Sequence, residues 1–170
     1  MGEVLELFAQ ILVLRRGPQD LPASGLLLLL TLLGYVIVNC VSCAVFPPRD
    51  NWPALLLLDV VFLLLWNAAL LVRRPERILQ TTTAVFGYQL LLAPLLVPLA
   101  WLQRRFEGDP AWHGPLVFVG LAVVVWSITI NSRILRAALE GPMLASVLLV
   151  VSQTFVEELL QLAISAPAKG

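Results

Sequence analysis

From Gly25 onward, apolar residues in this chain neither alternate nor recur on one helical face. They run almost unbroken in five blocks, each closed by a short polar interruption. The blocks are "GLLLLLTLLGYVIVNCVSCAVF" (Gly25 to Phe46), "PALLLLDVVFLLLWNAALLV" (Pro53 to Val72), the stretch Ala84 to Leu102 containing "GYQLLLAPLLVPLAWL", "GPLVFVGLAVVVWSITI" (Gly114 to Ile130) and "PMLASVLLVVSQTFVEELLQLAI" (Pro142 to Ile164). A helix rising about 1.5 Å per residue needs roughly 20 residues to cross about 30 Å of hydrocarbon, so each block predicts one membrane-spanning helix. Strands are excluded on physical grounds. An isolated strand leaves its backbone groups unsatisfied in lipid, and no alternating lumen pattern supports a closed barrel. The predicted fold is all-α: a polytopic integral membrane bundle of five transmembrane helices over residues 25–165, with a short tail at 166–170.

Residues 1–24, "MGEVLELFAQILVLRRGPQDLPAS", read as an amphipathic helix and linker at the membrane interface. Val4, Phe8, Ile11 and Leu12 share a helical face while Glu3, Glu6 and Gln10 lie elsewhere, and "RRGPQD" stops the helix near the headgroups. The acids precede the apolar part and the arginines follow it, the reverse of a cleavable export signal. Between the blocks, "PPRDNW", "RRPERILQTTT", "QRRFEGDPAWH" and "NSRILRAALEG" read as connectors too short to be domains. Pro94 and Pro98 each remove a backbone donor and predict a kink in the third span. The hydroxyls of "LQTTT" are expected to bond back to helix carbonyls as the chain enters the membrane.

Composition agrees with a lipid-facing chain. Of 170 residues, 59% are hydrophobic and 13% charged, and the mean hydropathy is +0.90; a water-soluble domain is about half apolar and a quarter charged. A formal net charge of zero provides no field to gather nucleic acid, which drops out as a partner. The placement of the charges carries more. With five spans, the side holding the N-terminus carries Arg15, Arg16, Arg73, Arg74, Arg77, Arg133 and Arg136, and the other carries Arg49, Arg104, Arg105 and Lys169. Seven against four places the N-terminus in the cytoplasm and the C-terminus outside.

Polar residues within the spans are where chemistry would sit, because an ionisable group in hydrocarbon costs roughly 2.5 kcal/mol or more and normally faces protein or water. Asp59 is the deepest acid. Asn67 lies near the same helical face, and Asn39 and Gln89 are the expected partners across helices. In the fifth span Gln153, Glu157 and Gln161 stack at i, i+4 spacing into one polar stripe beside Glu158. Such carboxylates could serve acid-base or metal chemistry, yet the lone histidine, His113, sits in a connector and reads as interfacial. No nucleophile motif, phosphate-binding loop or complete catalytic constellation is visible, and no cofactor or metal is called for. Cys40 and Cys43 have the spacing of a thiol-disulfide pair, but a helical i, i+3 pair is poorly set to close, and no third cysteine exists to pass a disulfide on. They read as packing residues.

The "RRGPQDLP" stretch, the five close-set spans, "RRPERILQTTTAVFGYQLLLAPLLVPL" and "WSITINSRILRAALEGP" together resemble bacterial inner-membrane proteins akin to the Yip family of five-span membrane proteins. In eukaryotic Yip relatives the fold implies membrane shaping and trafficking through small GTPases; this chain lacks their long soluble N-terminal region. The resemblance implies no catalytic activity. Arg73, Arg74, Arg77, Arg133 and Arg136 converge on one expected patch for headgroups or a partner protein. The resulting expectation is a non-catalytic scaffold, membrane-organising protein or accessory subunit in a bacterial inner membrane. Its partners are the bilayer and either another membrane protein or a second copy of itself. A small transporter or channel using Asp59 and a thiol oxidoreductase using Cys40 and Cys43 are the alternatives. Reporter fusions at Arg74 and Lys169 should report opposite sides of the membrane; the same side for both would remove the five-span reading.

Overall fold

The computed structural model describes residues 2–45 and 51–165, without the side chains of residues 2–5, 43–45 and 165. Arg49 and Lys169, both used in the charge count, lie outside the described residues, as do the side chains of Glu3, Val4 and Cys43. Among the described residues six α-helices follow in order: α1 (Gly2–Leu12), α2 (Gly25–Val45), α3 (Trp52–Leu70), α4 (Ile78–Arg105), α5 (Pro110–Leu139) and α6 (Met143–Ser165). Single 3-10 turns at Pro18–Asp20 and Pro75–Arg77 lead into α2 and α4. Helices α2 to α6 are each long and apolar enough to cross a membrane.

Two helices run well past their apolar blocks. Helix α5 has 30 residues, or about 45 Å, and α4 has 28. Much of three expected connectors is therefore helical: "ILQTTT" opens α4, "QRR" closes it, and "PAWH" and "NSRILRAAL" lie in α5. An apolar block measures only the part of a helix that meets hydrocarbon. Where a helix is covered by protein it need not read as apolar, and Thr81, Thr82, Thr83, Asn131 and Ser132 are all buried. The threonine hydroxyls differ from expectation as well. Thr31 bonds back to the carbonyls of Leu27 and Leu28 at 3.0 and 2.9 Å, whereas those of Thr81, Thr82 and Thr83 are buried without a partner. Helix α4 continues through Pro94 and Pro98.

Helix α4 is the centre of the bundle. It packs against α1, α2, α3, α5 and both 3-10 turns, and every residue from Thr81 to Tyr88 is buried. The surrounding helices turn their remaining faces outward, with Leu26, Leu30 and Ile37 of α2, Phe118 and Leu121 of α5, and Leu148 and Phe155 of α6 all exposed. These are the faces that lipid would cover.

A helix, α1, forms where an interfacial amphipathic helix was expected, but its apolar face is spent on protein, so it packs as part of the bundle and not as a separate interfacial element. Phe8 and Ile11 are 4% and 2% exposed, and the Phe8 ring lies directly over Gly87 of α4, where any Cβ would collide with it. Leu14 adopts a left-handed conformation, φ 62°, which turns the chain after α1. The carbonyls at this helix end would otherwise lack partners. Trp126 Nε1 donates to Leu12 O at 3.2 Å and Arg133 to Leu14 O at 2.7 Å, both from α5. Gln80 Nε2 of α4 donates to Leu21 O at 2.6 Å, fastening the rest of the segment.

The opposite end carries the α4–α5 hairpin. Gly108 takes φ 89°, Asp109 caps α5 by accepting from the Ala111 N–H at 2.9 Å, and Phe106 stacks on Trp112 with centroids 4.9 Å apart. Gly87→Ala should unseat α1 and lower stability by about 1–3 kcal/mol through overpacking, read as a lower thermal midpoint in detergent. Adding Phe8→Ala should relieve part of that loss; full additivity of the two changes would show that the ring and the glycine do not meet.

Candidate functional site

Antiparallel α3 and α6 bring two intramembrane acids to one level. Asp59 lies roughly 10 Å along α3 from Trp52, and Glu157 roughly 12 Å back along α6 from Ser165, in the half of the bundle away from the 3-10 turns. The Asp59 and Glu157 side chains interact with each other. Tyr35 of α2 completes the group: its hydroxyl donates to Asp59 Oδ2 at 2.5 Å, and its ring packs against Phe86 with centroids 5.3 Å apart. On the far side, Gln161 Nε2 donates to Glu157 Oε1 at 3.3 Å. The result is a three-helix polar knot of Tyr35, Asp59 and Glu157.

The stripe and the deep acid read separately from the sequence thus meet in space, while Asn39, Asn67 and Gln89 make no hydrogen bond to Asp59. Asn67 donates to its own helix at Leu63 O, 2.8 Å, because it lies two turns further along α3 toward the α1 end, and its Oδ1 is buried without a partner. Asn39 donates to Tyr35 O at 2.9 Å. Gln153 is buried on α6, and Glu158 is exposed. Asn39 and Gln89 instead face a cavity of about 340 Å³ between α2, α4 and α5, shared with Tyr35, Ser42, Tyr88 and Ser127. Gln89 Oε1 is buried there without a partner. Tyr35 is the residue that the sequence reading missed. The signal available was a hydroxyl-bearing ring one turn before Asn39 in an otherwise aliphatic block. Cys40 is exposed on α2, and His113 is exposed beside the α4–α5 hairpin.

The five arginines expected to form one patch separate into groups. Arg77 donates to Ala137 O and Ala138 O at 2.9 and 3.1 Å, placing a cation on the C-terminal carbonyls of α5 where the helix dipole favours it. The same guanidinium meets Glu140 Oε1 at 2.5 Å, and Arg74 meets Glu140 Oε2 at 2.8 Å. Glu140 itself caps α5 in a left-handed conformation, φ 55°. Arg133 holds Leu14 O and, with Arg136, lines a different cleft. Arg73 is exposed and lines neither.

The chain matches no protein-family model, no curated protein and no solved structure.

Hydrogen bonding to Arg74 and Arg77, then their charge, holds the exposed Glu140 carboxyl below its ordinary pKa. A depressed folded-state pKa contributes stability that is complete above the ordinary carboxylate range and is lost as pH falls through the folded value. The thermal midpoint of wild-type protein in detergent should therefore exceed that of Glu140→Gln near neutrality, with the gap closing below about pH 4. A gap that stays constant down to that pH would dissociate Glu140 from the two arginines.

Proposed function

We propose that this chain is a non-catalytic integral membrane protein of a bacterial inner membrane, acting as an accessory or membrane-organising subunit, with its N-terminus cytoplasmic and its C-terminus periplasmic. The observation that supports this reading is that polar and charged groups of the bundle serve as ties between its elements. Tyr35, Asp59 and Glu157 tie α2, α3 and α6 together; Arg77 ties the second 3-10 turn to α5; Arg133 ties α5 to the turn after α1. Polar contacts of this kind hold membrane helices together where lipid provides no hydrophobic drive between them. In this reading α1 lies at the cytoplasmic boundary with its polar side toward the headgroups. The exposed apolar faces meet lipid, a second membrane protein or another copy. The resemblance to the Yip family belongs to the same proposal, since that family is also built on five spans.

A specific observation favours a second reading. Tyr35 both bonds Asp59 and lines the cavity of about 340 Å³, so it links a space for water or a small solute to two neighbouring acids. A proton- or cation-coupled transporter would use that arrangement. Asp59→Asn separates the two readings because an amide oxygen still accepts from the Tyr35 hydroxyl. For the accessory subunit, Asp59→Asn should be mild, and Asp59→Leu should cost roughly 1 kcal/mol or somewhat more by stranding its partners. For the transporter, Asp59→Asn should abolish proton or cation flux in liposomes while the bundle stays stable. Flux that depends on Asp59 would overturn the first reading.

A further inference from the structure

At the α1 end, the segment after α1 and the C-terminal end of α5 enclose an open cleft of about 500 Å³, lined by Arg15, Arg16, Arg133 and Arg136 together with Asp20 and Glu140. That volume falls within the range of small-ligand sites, about 300–1,000 Å³. Both acids are engaged elsewhere. Asp20 accepts from the Gly17 N–H at 3.1 Å, which closes the 3-10 turn, and Glu140 is held from its other side by Arg74 and Arg77. Arg15, Arg16 and Arg136 are exposed and have no side-chain partner among the described residues, and Arg133 uses one of its N–H groups on Leu14 O. A guanidinium carries five donors in a planar fork, so most of the donor capacity of this cleft is free.

The cleft is fixed before anything binds. The left-handed Leu14 turns the chain, and the backbone N–H groups of Arg15 and Arg16 both bond Gln10 O, at 2.8 and 3.3 Å. Arg133 pins this turn to α5. Its depth is also defined. Arg133 and Arg136 follow Ile130, the end of the fourth apolar block, by roughly 5 and 9 Å along α5, and the headgroup layer occupies about 5–8 Å outside the hydrocarbon.

We propose that this cleft binds the phosphodiester headgroup of an anionic phospholipid. The proposal rests on the reading of α2 to α6 as membrane spans and goes beyond it by assigning a ligand to residues outside them. It takes up the headgroup patch expected from the sequence with different members: Arg15 and Arg16 join Arg133 and Arg136, and Arg74 and Arg77 leave because Glu140 occupies them.

The test uses the full chain purified in neutral detergent, with bound lipid read by native mass spectrometry. Wild-type protein should retain phosphatidylglycerol over phosphatidylcholine, and inorganic phosphate at equal concentration should not displace it. Arg15→Gln and Arg136→Gln should each lower phosphatidylglycerol retention about fivefold; neither side chain has an intrachain bond to lose. Arg73→Gln, an equal charge change at an exposed position outside the cleft, should leave retention unchanged. Equal retention in all variants, or an equal loss in Arg73→Gln, would overturn the site. Displacement by inorganic phosphate would overturn the lipid as its source. Incorporation of each protein into phosphatidylcholine vesicles is scored separately, so that failure of the membrane reading is seen as no incorporation at all.

Discussion

Eight consecutive residues of α4, Thr81 to Tyr88, are covered on every side, and inside a membrane that covering must come from other parts of the protein. A helix end or polar side chain in hydrocarbon has no water to turn to, so each uncovered group would cost several kcal/mol. The rest of the architecture follows from this need. Helix α1 lies with Phe8 over Gly87, where the missing side chain lets the two helices close. The 3-10 turn at Pro18–Asp20 packs on α4 and α5, and α2, α3 and α5 supply the remaining walls.

The bundle is consequently unequal along its length. The α1 end is built as a protein interior, with α4 and the last turns of α5 extended beyond their apolar blocks. The half of the bundle away from α1 carries polar ties among the described residues. There the knot of Tyr35, Asp59 and Glu157 joins three helices whose outer faces are largely aliphatic, and the cavity beside Tyr35 is the space left where α2, α4 and α5 do not close. Polar bonds between membrane helices contribute modestly, about 0.6–2 kcal/mol each. Their value here is positional: the knot sets which faces of α2, α3 and α6 look inward.

The charged groups at the α1 end divide by exposure. Arg74, Arg77 and Glu140 form an exposed ionic cap, sensitive to pH and screened by salt, while Arg133 is engaged on a backbone carbonyl. Arg15, Arg16 and Arg136 are what remains open to the surroundings. An accessory or membrane-organising protein would meet its bilayer through such a surface, just as a transporter would work through the acids at the other end.

The sequence by itself determined five apolar helices of membrane-spanning length, because apolar blocks near 20 residues long have one structural solution in lipid. It also marked Asp59, Glu157 and the amphipathic pattern of α1, since isolated acids and helical periodicity are local signals. Tertiary structure alone decided what those features touch. Periodicity showed that Phe8 and Ile11 share a face but not that α4 would cover it. Spacing put Asn67 near Asp59 on one helix, yet the partners came from Tyr35 and Glu157, which lie 24 residues before and 98 after it in the chain. Helix length escaped the reading for a related reason: hydropathy records contact with lipid, so the protein-covered turns carrying Thr81–Thr83 and Asn131–Ser132 looked like connectors until neighbouring helices were seen to bury them.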